Sequence, residues 1–260
     1  MMKHLHSLIL SVILLVTSAS ASADAEQLLI QLQHMRLASI SAMTDFFMFA
    51  GLDADSKYER RMDADVESFS QAMTSAREMV AADKLVTHLD AIDTDWQAFQ
   101  LSLNSNRNLV HNQGATSAQV VEDLARLNNA LVTRISESYQ NIAGSNTINP
   151  AVEKARSMAL LLQEMTTKYA ASAALNKADV NMGEYKRSLQ TMTMDFEFKL
   201  ADLKSVAYRP QTYILMDNIN SKWRFLRNSI TRQHEMDVPF LVISYNDRLI
   251  RHLEELEGKI

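Results

Sequence analysis

The side chains best equipped to act on a ligand in this 260-residue chain are arginines. Arg36, Arg60 and Arg61 stand in its first part, and Arg156, Lys186 and Arg187 in its second. A guanidinium partly buried between helices stays charged and offers a planar fork of donors, which suits a small anion. Arg36, Arg60, Arg156 and Arg187 are therefore the candidate ligand-binding residues, with ordinary surface ion pairing as the alternative for each.

Other chemistry is poorly supplied. There is no cysteine, which excludes disulfides, thiolate metal sites and a cysteine nucleophile. His34, His88, His111, His234 and His252 never fall three or four residues apart, and no His-Glu-x-x-His or Glu-x-x-His pair is present, so neither a zinc nor a di-iron site is expected. The acidic clusters Asp53-Ala-Asp55, Asp63-Ala-Asp65 and Asp90-Ala-Ile-Asp93-Thr-Asp95 lack the glycine and terminal glutamate of a calcium loop and read as helix caps and solvated faces. Fifteen methionines, scattered singly after the initial Met1-Met2 with Met192 and Met194 the closest pair, read as flexible core filler rather than soft metal ligands. No nucleophile-base pair or carboxylate dyad is legible, so the expectation is a non-enzymatic protein without cofactor.

The elements that must carry the arginines are helices. Five glycines and three prolines are too few for the turns of a strand-rich fold. Leu28, Leu32, Met35, Ile40, Met43, Phe47 and Ala50 recur at helical spacing up to Gly51, with Asp53 or Asp55 as the cap of a second helix through Tyr58, Met62, Phe69 and Met73. Phe46, Phe47 and Phe49 are too closely spaced for all three to face one interior of a simple bundle. Either one or two of them meet the other half, a second subunit or a ligand, or this helix has an unusually broad buried face. A third helix runs from near Lys84 to Val110, His111 to Gly114 breaks it, and Thr116 or Ser117 caps a fourth that reaches about Ile142. The loop-like stretch from Gly144 to Pro150 separates these from four further helices, at about 151–175, 180–207, 210–233 and 237–258, with Pro210 and Pro239 near the starts of the last two.

At a constant offset of 127 residues Tyr58 matches Tyr185, Arg60 matches Arg187, Phe69 matches Phe196, Asp90 matches Asp217, Ile92 matches Ile219 and Trp96 matches Trp223, the only two tryptophans. The expected architecture is all-α: two tandem antiparallel four-helix bundles, residues 24–143 and 151–260 joined by 144–150, forming an elongated molecule.

Lys3, the apolar run from Leu8 to Val16 and the small residues up to Ala23 read as a secretory signal peptide cleaved after Ala23, which directs the protein to the periplasm. No later segment is apolar enough to span a membrane. The formal charge of −5 gives no dense basic face for nucleic acid.

Gln163-Glu-Met165-Thr-Thr-Lys168-Tyr169 resembles the S-Q-R-M-A-K-x-Y core of the PilJ/NarX-like periplasmic helical domain, found at the N-terminus of type IV pilus methyl-accepting chemotaxis transducers and of nitrate sensor kinases. Arg36-Leu-Ala-Ser39, followed by Met43 to Leu52, is similar to that family's K-x-Y-L-L-A-G-L stretch, and Phe69 to Met73 and Phe196 to Leu200 resemble its Phe-x-x-x-Leu/Met. The resemblance covers most of residues 24–258, one domain per half. The family's Gly-Arg-x-Arg run is reduced here to Arg36 in the first half, and to Ser157 and Ala159 beside Arg156 in the second. The resemblance implies a sensory module that binds a small ligand, such as an anion, or an inner-membrane transducer or sensor, as a monomer or homodimer. The alternative is a scaffolding bundle of the cell envelope that acts through protein contacts alone.

Overall fold

The computed structural model describes residues 2–80, 83–114, 116–146, 148–175, 189–231 and 239–260, with the side chains of 2–23, 83, 84, 118, 172–175 and 231 outside the description. Eight helices follow in order: α1 (Met2–Gly51), α2 (Ser56–Met79), α3 (Asp83–Gln113), α4 (Ala118–Ala143), α5 (Pro150–Leu175), α6 (Leu189–Ala207), α7 (Tyr213–Thr231) and α8 (Pro239–Glu257). No strand occurs among the described residues. The fold is the all-α multi-helix bundle that the glycine and proline counts demanded.

The punctuation is local chemistry. Asp55 caps α2 by accepting from the Lys57 amide, and Ser117 caps α4 by accepting from the Val120 amide. Of the residues expected to break α3, His111 to Gln113 are still helical. The chain turns only at Gly114, where φ is +68° and a side chain would be strained. Pro239 takes the first position of α8, where a missing N–H is harmless. Pro210 instead sits in a turn ahead of α7, whose start is held by the Thr212 hydroxyl accepting from the Arg209 amide. The expected cleavage position after Ala23 falls inside α1, at the edge of the stretch whose side chains lie outside the description.

Within each half the helices pack as sequential neighbours, α1 against α2 and α4, α3 against α4, and likewise α5 against α6 and α8, α7 against α8. Each half has its own core. In the first, Phe69 stacks on Trp96 with centroids 3.8 Å apart, and in the second Phe196 lies 4.1 Å from Trp223, so the same ring pair occupies both. The halves meet along α1 and α5. Gln33 donates to the Arg156 carbonyl and the Thr44 and Thr167 hydroxyls touch, both pairs 123 residues apart, so the two helices run parallel and in register.

This seam explains the phenylalanines. Helix α1 is enclosed by α2 and α4 on one side and α5 on the other, so it is buried all round near its end. Phe46, Phe47 and Phe49 are all completely buried. The broad buried face holds.

Candidate functional site

Two clefts flank the seam, one on each side. The first, about 380 Å³, lies between α1, α4, α5 and α6 and is lined by Arg36, Tyr139, Glu153, Arg156 and Lys199 among others. The second, about 400 Å³, lies between α1, α2 and α8 with Gln163 of α5 at its floor. Residues 157, 160, 161 and 164 of α5 line the first, and 34, 37, 38 and 41 of α1, each 123 positions earlier, line the second. The clefts are therefore matching positions of the two halves with different chemistry.

In the first cleft the structure brings together two of the four candidate arginines. Arg36 and Arg156 come from the first helix of each half and converge on Tyr139 of α4. The Arg36 guanidinium lies 4.1 Å from the centre of the Tyr139 ring, and Arg156 Nη1 donates to the Tyr139 hydroxyl at 3.0 Å. That hydroxyl in turn donates to Glu153.

The two arginines are in opposite electrostatic states. Arg156, 2% exposed, is surrounded by carboxylates: Nη2 meets Glu26 at 2.5 Å, Nε meets Glu257 at 3.0 Å, and Glu153 stands 3.9 Å away. Burial by itself would lower its pKa, but the Tyr139 bond and these carboxylates raise it above the ordinary value. Arg36 is 6% exposed and pairs with no carboxylate; it donates to Gln33 Oε1 at 2.5 Å and weakly to Ser136 at 3.5 Å, and its Nε has no partner. Burial, only partly offset by Tyr139 and Glu153, brings its pKa down to about 10. It remains a cation at neutral pH, desolvated and short of acceptors.

The other two candidates are not part of this site. Arg60 is exposed and donates to Ser56 on its own helix, and Arg187 lies outside the described residues. The neighbouring Arg61 is the engaged one on α2. Its Nε holds Asp45 at 2.8 Å and its Nη1 holds Asp247 of α8 at 2.8 Å, so it ties the two halves together at the second cleft. Asp45, with a side chain 1% exposed, is raised to about 7 by burial despite Arg61, and the adjacent Asp65 is raised well above its usual range by burial and by the Asp45 charge. Burial followed by the charge of Arg156 lowers His34, which lines the same cleft.

The sequence reading missed Tyr139, Asp45 and Asp247, and it assigned Asp65 to a cap or solvated face although the side chain lines the second cleft with a buried Oδ2. For Asp45 a signal was present, because an acid inside the apolar run Met43 to Ala50 has to find a partner. The remaining acidic clusters behave as expected surface groups: Arg77 pairs with Asp90 and Asp93, and Arg107 with Asp63. Buried methionines such as Met35, Met43, Met158, Met165 and Met216 fill the cores, while Met194 is exposed. No three ligating side chains are placed to hold a metal ion, and no helix is long and apolar enough to cross a membrane, among the described residues.

The chain matches no protein-family model, no curated protein and no solved structure.

Proposed function

We propose that this protein is an exported, non-enzymatic sensory-type helical module that binds a small anion in the cleft beside Arg36 and passes the signal to an inner-membrane partner. One observation carries the reading: Arg36 is a buried guanidinium in ion-pair contact with no carboxylate among the described residues, with the Glu153 charge only partly offsetting its burial, and it is set on the wall of a cleft of about 380 Å³. A buried cation without a counter-charge is unfavourable, and an anion entering the cleft relieves it. Arg156 then acts indirectly. Its carboxylate partners leave it no charge to offer, and its bond to Tyr139 holds the ring on which Arg36 rests. The signal-peptide-like start of the sequence and the resemblance to PilJ/NarX-like domains support a sensory role in the periplasm, and the cleft's position at the seam between α1 and α5 supports a site shared by both halves.

The test is a thermal-shift screen with nitrate, nitrite, acetate and other small anions at constant ionic strength. Stabilisation by one of them that disappears in Arg36→Ala supports the reading. No shift with any anion refutes it.

A scaffolding role is the second reading, favoured by the exposed apolar groups Met194 and Phe198, one turn apart on α6, and Ile214 on α7. Retention of a purified envelope protein by the wild type but not by Phe198→Ser, with no anion response, would favour it.

A further inference from the structure

The second cleft has the opposite electrostatic problem from the first. Four carboxyl groups line it, Asp45, Asp65, Asp247 and Glu254, against the guanidiniums of Arg61 and Arg251. Arg61 is fully committed: its fork takes both oxygens of Asp45, at 2.8 and 3.0 Å, and both oxygens of Asp247, at 2.8 and 3.3 Å. Asp65 stands beside Ser41 and Asp45, both of which act on its titration. Its Oδ2 is buried and has no partner. A buried acceptor without a donor is unfavourable and is relieved by a ligand that brings one.

We propose that this cleft binds a small primary ammonium ion, whose N–H groups are taken by Asp65 and Asp45 and whose short alkyl part lies against Leu37, Ala38 and Ile250. The ligand class follows from the walls. Ligation geometry for a metal ion is lacking among the described residues, whereas an ammonium group brings directional donors to two carboxyl groups that line one cleft. The apolar side of the cleft gives the alkyl group a dry surface, as in most small-molecule sites. The site draws on both halves, since Asp45 and Asp65 belong to the first and Asp247, which fixes Arg61, to the second. It is independent of the anion reading and shares none of its side chains.

Isothermal titration of the full chain with n-butylammonium, with tetramethylammonium and sodium as cations lacking N–H donors, tests the assignment. The expected result is saturable binding of butylammonium alone, weakened at least ~10-fold in Asp65→Asn, because a charge-assisted hydrogen bond is lost. Arg36→Met, in the opposite cleft, is expected to leave this binding unchanged, which separates it from the anion site. Unfolding of Asp65→Asn followed by circular dichroism shows whether the variant is folded. Should it not fold, Ile250→Trp, which fills the cleft without touching the carboxyls, is the second variant and is expected to abolish binding. Absence of butylammonium binding to the wild type, equal binding of tetramethylammonium, or unchanged affinity in a folded Asp65→Asn overturns the proposal.

Discussion

The hydroxyls of Thr44 and Thr167 lie 2.6 Å apart across the seam between the two halves, buried at matching positions of α1 and α5. They are the centre of a buried polar chain: Gln163 Nε2 donates to Thr44, and Asn246 Nδ2 donates to Gln163 Oε1. Such a chain selects one register, because sliding α1 past α5 would leave each of these groups buried without a partner.

The first prediction concerns this chain. Thr44→Val preserves shape but leaves Gln163 without its acceptor, and about 1–3 kcal/mol of stability is expected to be lost. The double variant Thr44→Val/Thr167→Val removes both hydroxyls and is expected to recover part of that loss. Denaturant unfolding of the two single variants and the double variant gives the coupling energy, and strict additivity would contradict the contact.

The two buried arginines respond in opposite ways to loss of charge. Arg36→Met removes a cation with no counter-ion, so stability without ligand is expected to stay level or rise. Arg156→Met leaves Glu257 and two half-exposed carboxylates around an uncompensated centre, with an expected loss of about 2 kcal/mol after allowing for solvent screening. Urea unfolding of the two variants decides the point, and equal losses would refute the assignment of one arginine as paired and the other as not.

Proton binding at the second cleft makes stability depend on pH. In the folded chain Asp45 titrates at about 7 and Asp65 well above its usual range, whereas both ionise near 3.9 when unfolded. The folded state therefore holds protons that the unfolded state has released. This contribution is complete below the ordinary carboxylate pKa and is lost as pH rises through 7. Between about pH 4 and 7 the melting temperature of the wild type relative to that of Asp65→Asn is expected to fall, a comparison in which the opposite contribution of His34, with its lowered pKa, cancels. A relative melting temperature that rises over this range would contradict the protons held at this cleft.

The paired aromatic contacts give a test of the repeat. Trp96 and Trp223 each sit in a core against the phenylalanine 27 residues earlier, so Trp→Ala at either position is expected to remove about 3–5 kcal/mol. Trp223→Phe should be much milder, below about 1.5 kcal/mol, because its Nε1 is buried without an acceptor and the substitution deletes that unpaired donor. Each single-tryptophan protein reports its own half by fluorescence, and a larger loss for Trp223→Phe than for Trp223→Ala would refute the packing.

Much of the fold was legible in the residues, for local reasons. Helix class followed from the scarcity of Gly and Pro. The boundaries at Gly51, Asp55, Ser117 and Pro150 followed from caps and breakers whose effect reaches only one turn, and the repeat from Trp96 and Trp223 at equal offset. Where the chemistry was spread over several neighbours the reading fell short. Pro210 lies in the turn three residues ahead of α7, whose start is later than the expected 210, and His111 to Gln113 looked like a break and are helical, because tertiary packing overrides weak local preference.

Arginines 36 and 156 were identified as candidates from type and position alone, because a guanidinium on an otherwise apolar helix face has few roles. Their pairing states were not legible. Whether a buried charge is neutralised depends on groups far away in the chain, Glu26, Tyr139 and Glu257 around Arg156, and Gln33 with the Tyr139 ring around Arg36. The sequence by itself determined the all-helical class and the helix boundaries at Gly51, Asp55, Ser117 and Pro150, since these rest on periodicity and on caps acting within a few residues. Only the tertiary structure decided that α1 and α5 pack in parallel register, that Arg61 rather than Arg60 is engaged, and that one cleft is left with an unpaired cation and the other with an unpaired acid, because each of those outcomes is a balance of charges brought together from separate helices.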